Sequence, residues 1–234
     1  METKISIIIP VFNEINTIQE IIEKVRENEL SNKEIIVVDD CSTDGTTELL
    51  KNQLNKKVDK IFYHSVNQGK GAAIRTAKDS ITGDIIIIQD ADLEYDPNDY
   101  TKLIEPIQNK EFDVVYGSRV LGKKRYKIES FTSVMRIFFN HVLTILSNLI
   151  NKQNLTDAHT CYKVFSKKVF DQIELKENTF SFCPEVTTKI SNLGFKIKEV
   201  PISYKGRSVE EGKKIQFIDG IIAIKTLILY KFKK

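Results

Sequence analysis

An α/β domain, a mostly parallel sheet with helices on both faces, is the fold class this sequence predicts. Short β-branched runs such as residues 5–9 and 84–88 carry no polar alternation, as strands buried on both faces require. Stretches of helical pattern separate consecutive runs, which implies parallel rather than hairpin pairing. At 234 residues the chain fits one large domain able to bury roughly 70% of its unfolded surface.

The elements follow in order. Strands are expected at 5–9, 34–38, 60–64, 84–88 and 113–116, with a later one at 196–203. Thr17-Ile18-Gln19-Glu20 reads as a capping box opening a helix to about Asn28. Asp44 is placed to cap a helix over 46–54, and 71–80 makes a third. Residues 131–150 repeat apolar side chains at helical spacing, among them Phe138, Val142, Ile145 and Leu149, with Asn140, Thr144 and Ser147 opposite. Such a helix either packs on the core or lies in a membrane interface, and the pattern alone leaves both open. Residues 215–230 form a second apolar helical segment that ends in Lys231-Phe232-Lys233-Lys234, a basic tail suited to an anionic membrane surface.

Composition narrows the classes. The net charge is +3, with cations gathered at Lys123-Lys124-Arg125, Arg207, Lys213-Lys214 and the C-terminus. Trp is absent and the aromatics are scattered, so no stacking platform for nucleic acid is expected. Cys41, Cys161 and Cys183 are widely spaced, which argues against a disulfide framework or zinc site and fits a reducing cytosol. No cleavable signal and no spanning helix is expected, hence a soluble or peripheral protein. His64, His141 and His159 are read as surface or packing residues.

Each expected strand ends in polar residues. Pro10-Val11-Phe12-Asn13-Glu14 follows the first, Asp39-Asp40-Cys41-Ser42-Thr43-Asp44-Gly45 the second and Asn67-Gln68-Gly69-Lys70-Gly71 the third. Asp90-Ala91-Asp92 follows the fourth and Gly117-Ser118-Arg119 the fifth. In a parallel sheet these loops share one edge, where α/β proteins bind ligands. If the backbone stays extended, Asp90 and Asp92 point the same way and offer hard oxygens to Mg²⁺ or Mn²⁺. A metal held there neutralises a departing diphosphate. Taken alone, Asp-x-Asp at a strand end is ordinary turn chemistry; the surrounding loops favour the metal reading.

These five motifs, in this order, resemble the family 2 glycosyltransferases of the GT-A (Rossmann-like) fold. Thr156-Asp157, Pro184-Glu185 and Arg207 with Gly212-Lys213-Lys214 look like the polyprenyl-phosphate sugar transferases within that family, dolichol-phosphate mannosyltransferase being the best-known type. The resemblance implies a domain over 1–214, including an amphipathic insertion at about 128–152, followed by a C-terminal apolar and basic helix at 215–234. It implies that Pro10, Phe12, Glu14, Val37 and Asp39 hold the nucleoside of the donor. Lys70, Asp90, Ala91, Arg207 and Lys213 would complete the donor site, and Asp90, Asp92 and Glu94 would hold the metal. Asp92, Arg119, Asp157, Glu185 and Arg207 are the catalytic candidates. Where many relatives have Gly-Phe-Arg this chain has Cys161-Tyr162-Lys163, a point charge in place of a guanidinium fork, which leaves acceptor identity open.

The implied reaction is inverting transfer of a hexose from a nucleotide-diphosphate sugar, of the GDP-mannose or UDP-glucose type, to a polyprenyl phosphate at a cytosolic membrane face. A phosphate acceptor is already ionised and attacks directly, so cations such as Arg119, Arg207, Lys213 and Lys163 are expected around the seam between two anions. A saccharide hydroxyl as acceptor instead requires a base, for which Asp157 or Glu185 is the candidate. A non-catalytic nucleotide-sugar-binding membrane partner is the alternative of another class.

Overall fold

The structure is a computed structural model that describes residues 3–121, 131–207 and 217–232. Seven strands form one sheet: β1 (Ile5–Val11), β2 (Lys33–Asp39), β3 (Lys60–Tyr63), β4 (Ile85–Ile88), β5 (Val114–Ser118), β6 (Lys163–Ser166) and β7 (Ile197–Pro201). Their order is β3-β2-β1-β4-β6-β5-β7. All neighbours run parallel except β6, which is antiparallel to both β4 and β5. The mostly parallel sheet is thus as expected, and the sequence reading missed β6. Its four residues open on a lysine after a loop and run straight into α6, too short for a period to show.

Helices cover both faces. They are α1 (Ile18–Glu27), α2 (Thr46–Leu49, continued by a π-helical turn to Leu54), α3 (Lys70–Lys78), α4 (Tyr100–Gln108), α5 (Phe131–Asn151), α6 (Lys167–Gln172), α7 (Phe182–Asn192) and α8 (Phe217–Phe232). Side chains alternate along the strands. Ile5, Ile7 and Ile9 of β1 join Val37, Ile85 and Ile87 against α1 and α4, whereas Ile8, Ile36, Ile86 and Ile88 pack against α3 and α7. Both layers are predominantly apolar because a central parallel strand meets no water on either face, and the buried Ser6 and Glu34 bond to each other. The capping box is not realised: the Thr17 hydroxyl donates to Glu14 Oε2 at 3.0 Å. Nor is Asp44 the cap: Gly45 holds that position, and Asp44, one residue earlier, accepts from the Thr46 amide at 3.0 Å.

The strand register brings Val11, Asp39 and Ile88 to one edge. Because β6 runs the other way, it begins at that edge, and the segment before it delivers Thr156 and Asp157 beside the end of β5.

Helix α5 docks in an unusual sense. Its polar side faces the protein: Thr144, Ser147 and Asn151 are buried, and Asn140, Thr144, Asn148 and Asn151 bond to Asp157, the Ala158 amide, Leu155 and Thr188. Phe138, Val142, Ile145 and Leu149 face outward. Helix α8 packs on α5 and α7 through Ala223, Leu227 and Tyr230 and exposes Ile221, Ile222, Ile224, Ile228, Leu229 and Phe232. No helix among the described residues is long and apolar enough to cross a membrane.

Candidate active site

The crevice at this edge is built from the loops after β1 and β4, the segment before β6 and the chain leaving β7. Strand β4 ends at Ile88, and the chain then turns rather than extending, with Leu93 at φ +61° and the Asp92 carboxylate accepting from the Glu94 amide at 3.1 Å. This departs from the expected parallel pair. Asp90 accepts from the Lys70 ammonium, while Asp92 turns to Arg207 Nη2 at 3.1 Å. Lys70 stands at the first residue of α3, whose preceding Gly69 has φ +98° and whose Gly71 lies against the backbone of Glu177 and Asn178. A Cβ on Gly71 would sit 2.3 Å from the Glu177 carbonyl oxygen, so this close approach demands glycine.

Arg207 ties the crevice together. Its guanidinium donates to Glu14 Oε2 at 2.9 Å and Oε1 at 3.1 Å as well as to Asp92, and its amide donates to Glu94 Oε1 at 2.6 Å. Among the described residues its buried Nε has no partner, leaving one donor for an incoming oxygen. Glu94 also accepts from the Tyr204 hydroxyl at 2.9 Å. The Glu94 carboxylate is thus engaged by Tyr204 and the Arg207 amide, and among the described residues no three acidic, His or Cys side chains gather as a metal cage.

Electrostatics still favours a cation there. Burial and the charges of Asp90 and Glu94 push the Asp92 carboxyl up to about 7, with Arg207 opposing. For Asp90, burial works against the charge, but Lys70 and the Cys161 thiol hold its pKa below the ordinary value. Glu14, Asp90, Asp92, Glu94 and Asp157 face Lys70, Arg119 and Arg207, an acidic excess among the described residues. Hard carboxylate oxygens in such an excess fit a divalent ion of the Mg²⁺ or Mn²⁺ kind.

On the far side, Arg119 and Asp157 form a buried pair. Arg119 Nε and Nη2 donate to Asp157 Oδ2 and Oδ1 at 2.7 and 2.8 Å, the Arg119 amide adds a bond at 3.1 Å, and Asn140 adds one at 3.3 Å. Burial raises the cost of this carboxylate's charge, yet Arg119 holds its pKa down to about 2. The guanidinium lies 5.1 Å from the centre of the Tyr204 ring. Glu199 of β7 supports the arrangement by accepting from the Thr156 and Asp157 amides at 2.6 and 2.8 Å.

The expected site residues divide. Pro10, Phe12, Glu14, Asp39, Lys70, Asp90, Asp92, Arg119, Asp157 and Arg207 all lie at this edge of the sheet. Val37 and Ala91 do not present side chains to it; the alternation of β2 turns Val37 into the α1-facing core, and Ala91 packs there too. Glu185 is fully buried and accepts from the Lys176 and Glu177 amides at 2.7 and 2.9 Å and from Lys189 at 2.6 Å. It is a clamp for the loop that abuts Gly71, not a base. Lys163 is also buried, donating to the Ala158 and Thr160 carbonyls at 3.0 and 2.8 Å under the Tyr116 ring, so it is not at the seam. Lys213 lies outside the described residues. Tyr204, Glu199 and Asn140 were missed; the one signal was a carboxylate, Glu199, sharing a strand face with Ile197 and Pro201.

The sequence profile described as "Glycosyl transferase family 2" matches residues 6–174. The dolichol-phosphate mannosyltransferase of Pyrococcus furiosus is 29% identical over 219 residues, 91% of this chain and 60% of its own length. The UDP-N-acetylglucosamine–dolichyl-phosphate N-acetylglucosaminyltransferase of Methanococcus voltae is 28% identical, covering 85% of this chain and 84% of its own. Among solved structures, glucosyl-3-phosphoglycerate synthase from Mycobacterium tuberculosis, in complex with Mn²⁺, UDP and glucosyl-3-phosphoglycerate, superposes with a TM-score of 0.72 at 18% identity, covering 97% of this chain and 80% of that one. That likeness establishes the GT-A fold.

Proposed function

The chain belongs to glycosyl transferase family 2, and from that premise we propose that it moves a hexose from a nucleotide-diphosphate sugar to a polyprenyl phosphate. The observation that carries the acceptor class is the state of the crevice carboxylates. Asp157 is locked by Arg119, Glu14 and Asp92 by Arg207, Asp90 by Lys70, and Glu94 by Tyr204 and Arg207, while Glu185 lies in the core. A sugar hydroxyl would need one of them as base; an ionised phosphate needs none. The relatives named for dolichyl-phosphate acceptors support the same reading.

In this proposal Asp90 and Asp92 hold a divalent metal, which when bound neutralises charge building on the leaving diphosphate. The chain's own groups do the rest. Glu14 and Asp39 orient the nucleoside side of the donor, Arg207, its fork held by Glu14 and Asp92, brings its charge and a spare Nε donor to the phosphates, and Lys70 covers the opposite flank. Arg119, fixed by Asp157 and Tyr204, presents positive charge to the seam where the acceptor phosphate must approach a second anion. A single displacement at the anomeric carbon inverts its configuration.

The outward apolar faces of α5 and α8 support a peripheral location at a cytosolic membrane surface, where a lipid acceptor resides. A helix that turns Thr144 and Ser147 inward and Phe138, Val142, Ile145 and Leu149 outward is built for an apolar neighbour. The test is a panel of labelled GDP- and UDP-sugars with Mn²⁺, offered with either a short polyprenyl phosphate or soluble saccharides. Labelled lipid is the expected product; labelled saccharide without labelled lipid overturns the acceptor assignment.

A further inference from the structure

At the opposite edge of the sheet, where the strands begin, a cleft of about 290 Å³ is lined by Arg26 of α1, Ser31, Lys33 and Ile35 of the entry to β2, and the segment from Lys56 to Asp59. Its volume is at the lower end of small-ligand sites, roughly 300 Å³. The turn from α1 into β2 and the more distant segment 56–59 converge on it and bring four cations to one place, on a chain whose net charge is only +3.

The acidic groups nearby, Glu23 and Asp59, offset these charges only in part. Asp59, the one carboxylate of the lining, accepts from the Ile35 amide at 2.7 Å and so serves the backbone. Lys57 is answered by Glu23 at 2.7 Å. The Lys33 ammonium donates to the Asn28 carbonyl at 2.6 Å, a neutral partner, and among the described residues neither Arg26 nor Lys56 forms an ion pair. Burial and the like charge of Arg26 lower the Lys33 pKa, so the cleft holds four cations close together against two carboxylates, Asp59 and the Glu23 that faces Lys57 and Arg26. A multivalent anion would relieve this repulsion, and an arginine with lysines around a polar cleft is the donor set that phosphate oxygens favour.

We propose that this cleft is a second anion site, taking a phosphate-bearing ligand independently of the donor crevice. The two sites stand at opposite ends of β2: Lys33 to Asp39 spans six residues, about 20 Å at the rise of a strand. A phosphate group here therefore does not take part in the reaction at Asp92. The phosphate has two sources, a small anion in solution or the headgroup of an anionic lipid, and the experiment separates them.

Inorganic pyrophosphate is titrated calorimetrically, without metal and at low salt, into the Asp92→Asn protein, which impairs the metal-dependent donor site. Saturable binding is expected, weakened at least ten-fold by Lys33→Gln with Lys56→Gln. The Arg26→Gln variant gives a second readout should the double variant fold poorly. Lys168→Gln with Lys176→Gln, exposed and outside the cleft, removes the same charge elsewhere. In the second arm, sedimentation with phosphatidylglycerol vesicles is compared across the same variants. Dependence on the cleft lysines in either arm supports the site and identifies its source. Independence in both, or equal loss in the Lys168 and Lys176 control, overturns it.

Discussion

Arg119 and Asp157 meet through two parallel hydrogen bonds of 2.7 and 2.8 Å, joining the end of β5 to the segment that precedes β6. The pair is planar and bidentate, so it fixes the direction of the guanidinium as well as its charge. The relationship changes the meaning of Asp157 from a candidate base to the group that aims a cation.

Its titration gives the first prediction. The folded-state carboxyl is held down to about 2, against an ordinary value of about 3.9. Ionised Asp157 therefore stabilises the fold above pH 4, and this contribution is lost as pH falls toward 2. Urea unfolding of the wild type between pH 5 and 2 should show a loss on the order of 2 kcal/mol from this group. Asp157→Asn should lack that part of the acid sensitivity. It should also be destabilised at neutral pH by about 3 kcal/mol, because Arg119 is left buried and unpaired. Equal acid sensitivity in both proteins would count against the pairing.

The crevice predicts a requirement for metal. With more carboxylates than cations around Arg207, a diphosphate enters an acidic site unless a divalent ion accompanies it. Chelation should abolish transfer, and Mn²⁺ or Mg²⁺ should restore it. Asp92→Asn should lower kcat/KM on the order of 100-fold and raise the metal concentration for half-maximal activity. Turnover in the variant with an unchanged metal dependence would remove Asp92 from the metal's surroundings.

Gly71 carries a packing prediction. An added methyl would meet the Glu177 carbonyl oxygen at 2.3 Å, and because the obstructing Glu177 and Asn178 atoms are all backbone there is no easy relief. Gly71→Ala should cost about 2–3 kcal/mol in unfolding experiments. It should also weaken donor binding, since Lys70 is the neighbouring residue and bonds Asp90. Wild-type stability in the variant would show that the Glu177 loop does not press on α3.

The outward apolar faces predict vesicle binding that depends on single side chains. Removing α8 altogether would unroof the surfaces of α5 and α7 that Ala223, Leu227 and Tyr230 cover, so charge substitution is the sharper probe. Ile228→Glu with Phe232→Glu, at 49% and 81% exposure, should leave the melting temperature within a few degrees. Sedimentation with anionic vesicles should fall several-fold. Undiminished sedimentation would dissociate α8 from the membrane.

Local chemistry determined a good deal of this protein. The β-branched runs over residues 5–9, 34–38 and 84–88 admit little except buried parallel strands, and the polar residues after them had to share one edge. Asp90, Asp92, Arg119 and Arg207 were legible because each closes or follows a recognisable motif. Other features depended on packing between segments far apart in sequence. Strand β6 pairs antiparallel between β4 and β5, a choice no local period encodes, and it brings Asp157 to Arg119 across 38 residues. Glu185 and Lys163 carry the same charges a crevice would use, yet their backbones point them inward, to amides and carbonyls. Periodicity showed that α5 has two faces; only its neighbours decided that the polar one turns inward, because Asp157, Ala158, Leu155 and Thr188 supply the partners its buried hydrogen-bonding groups require.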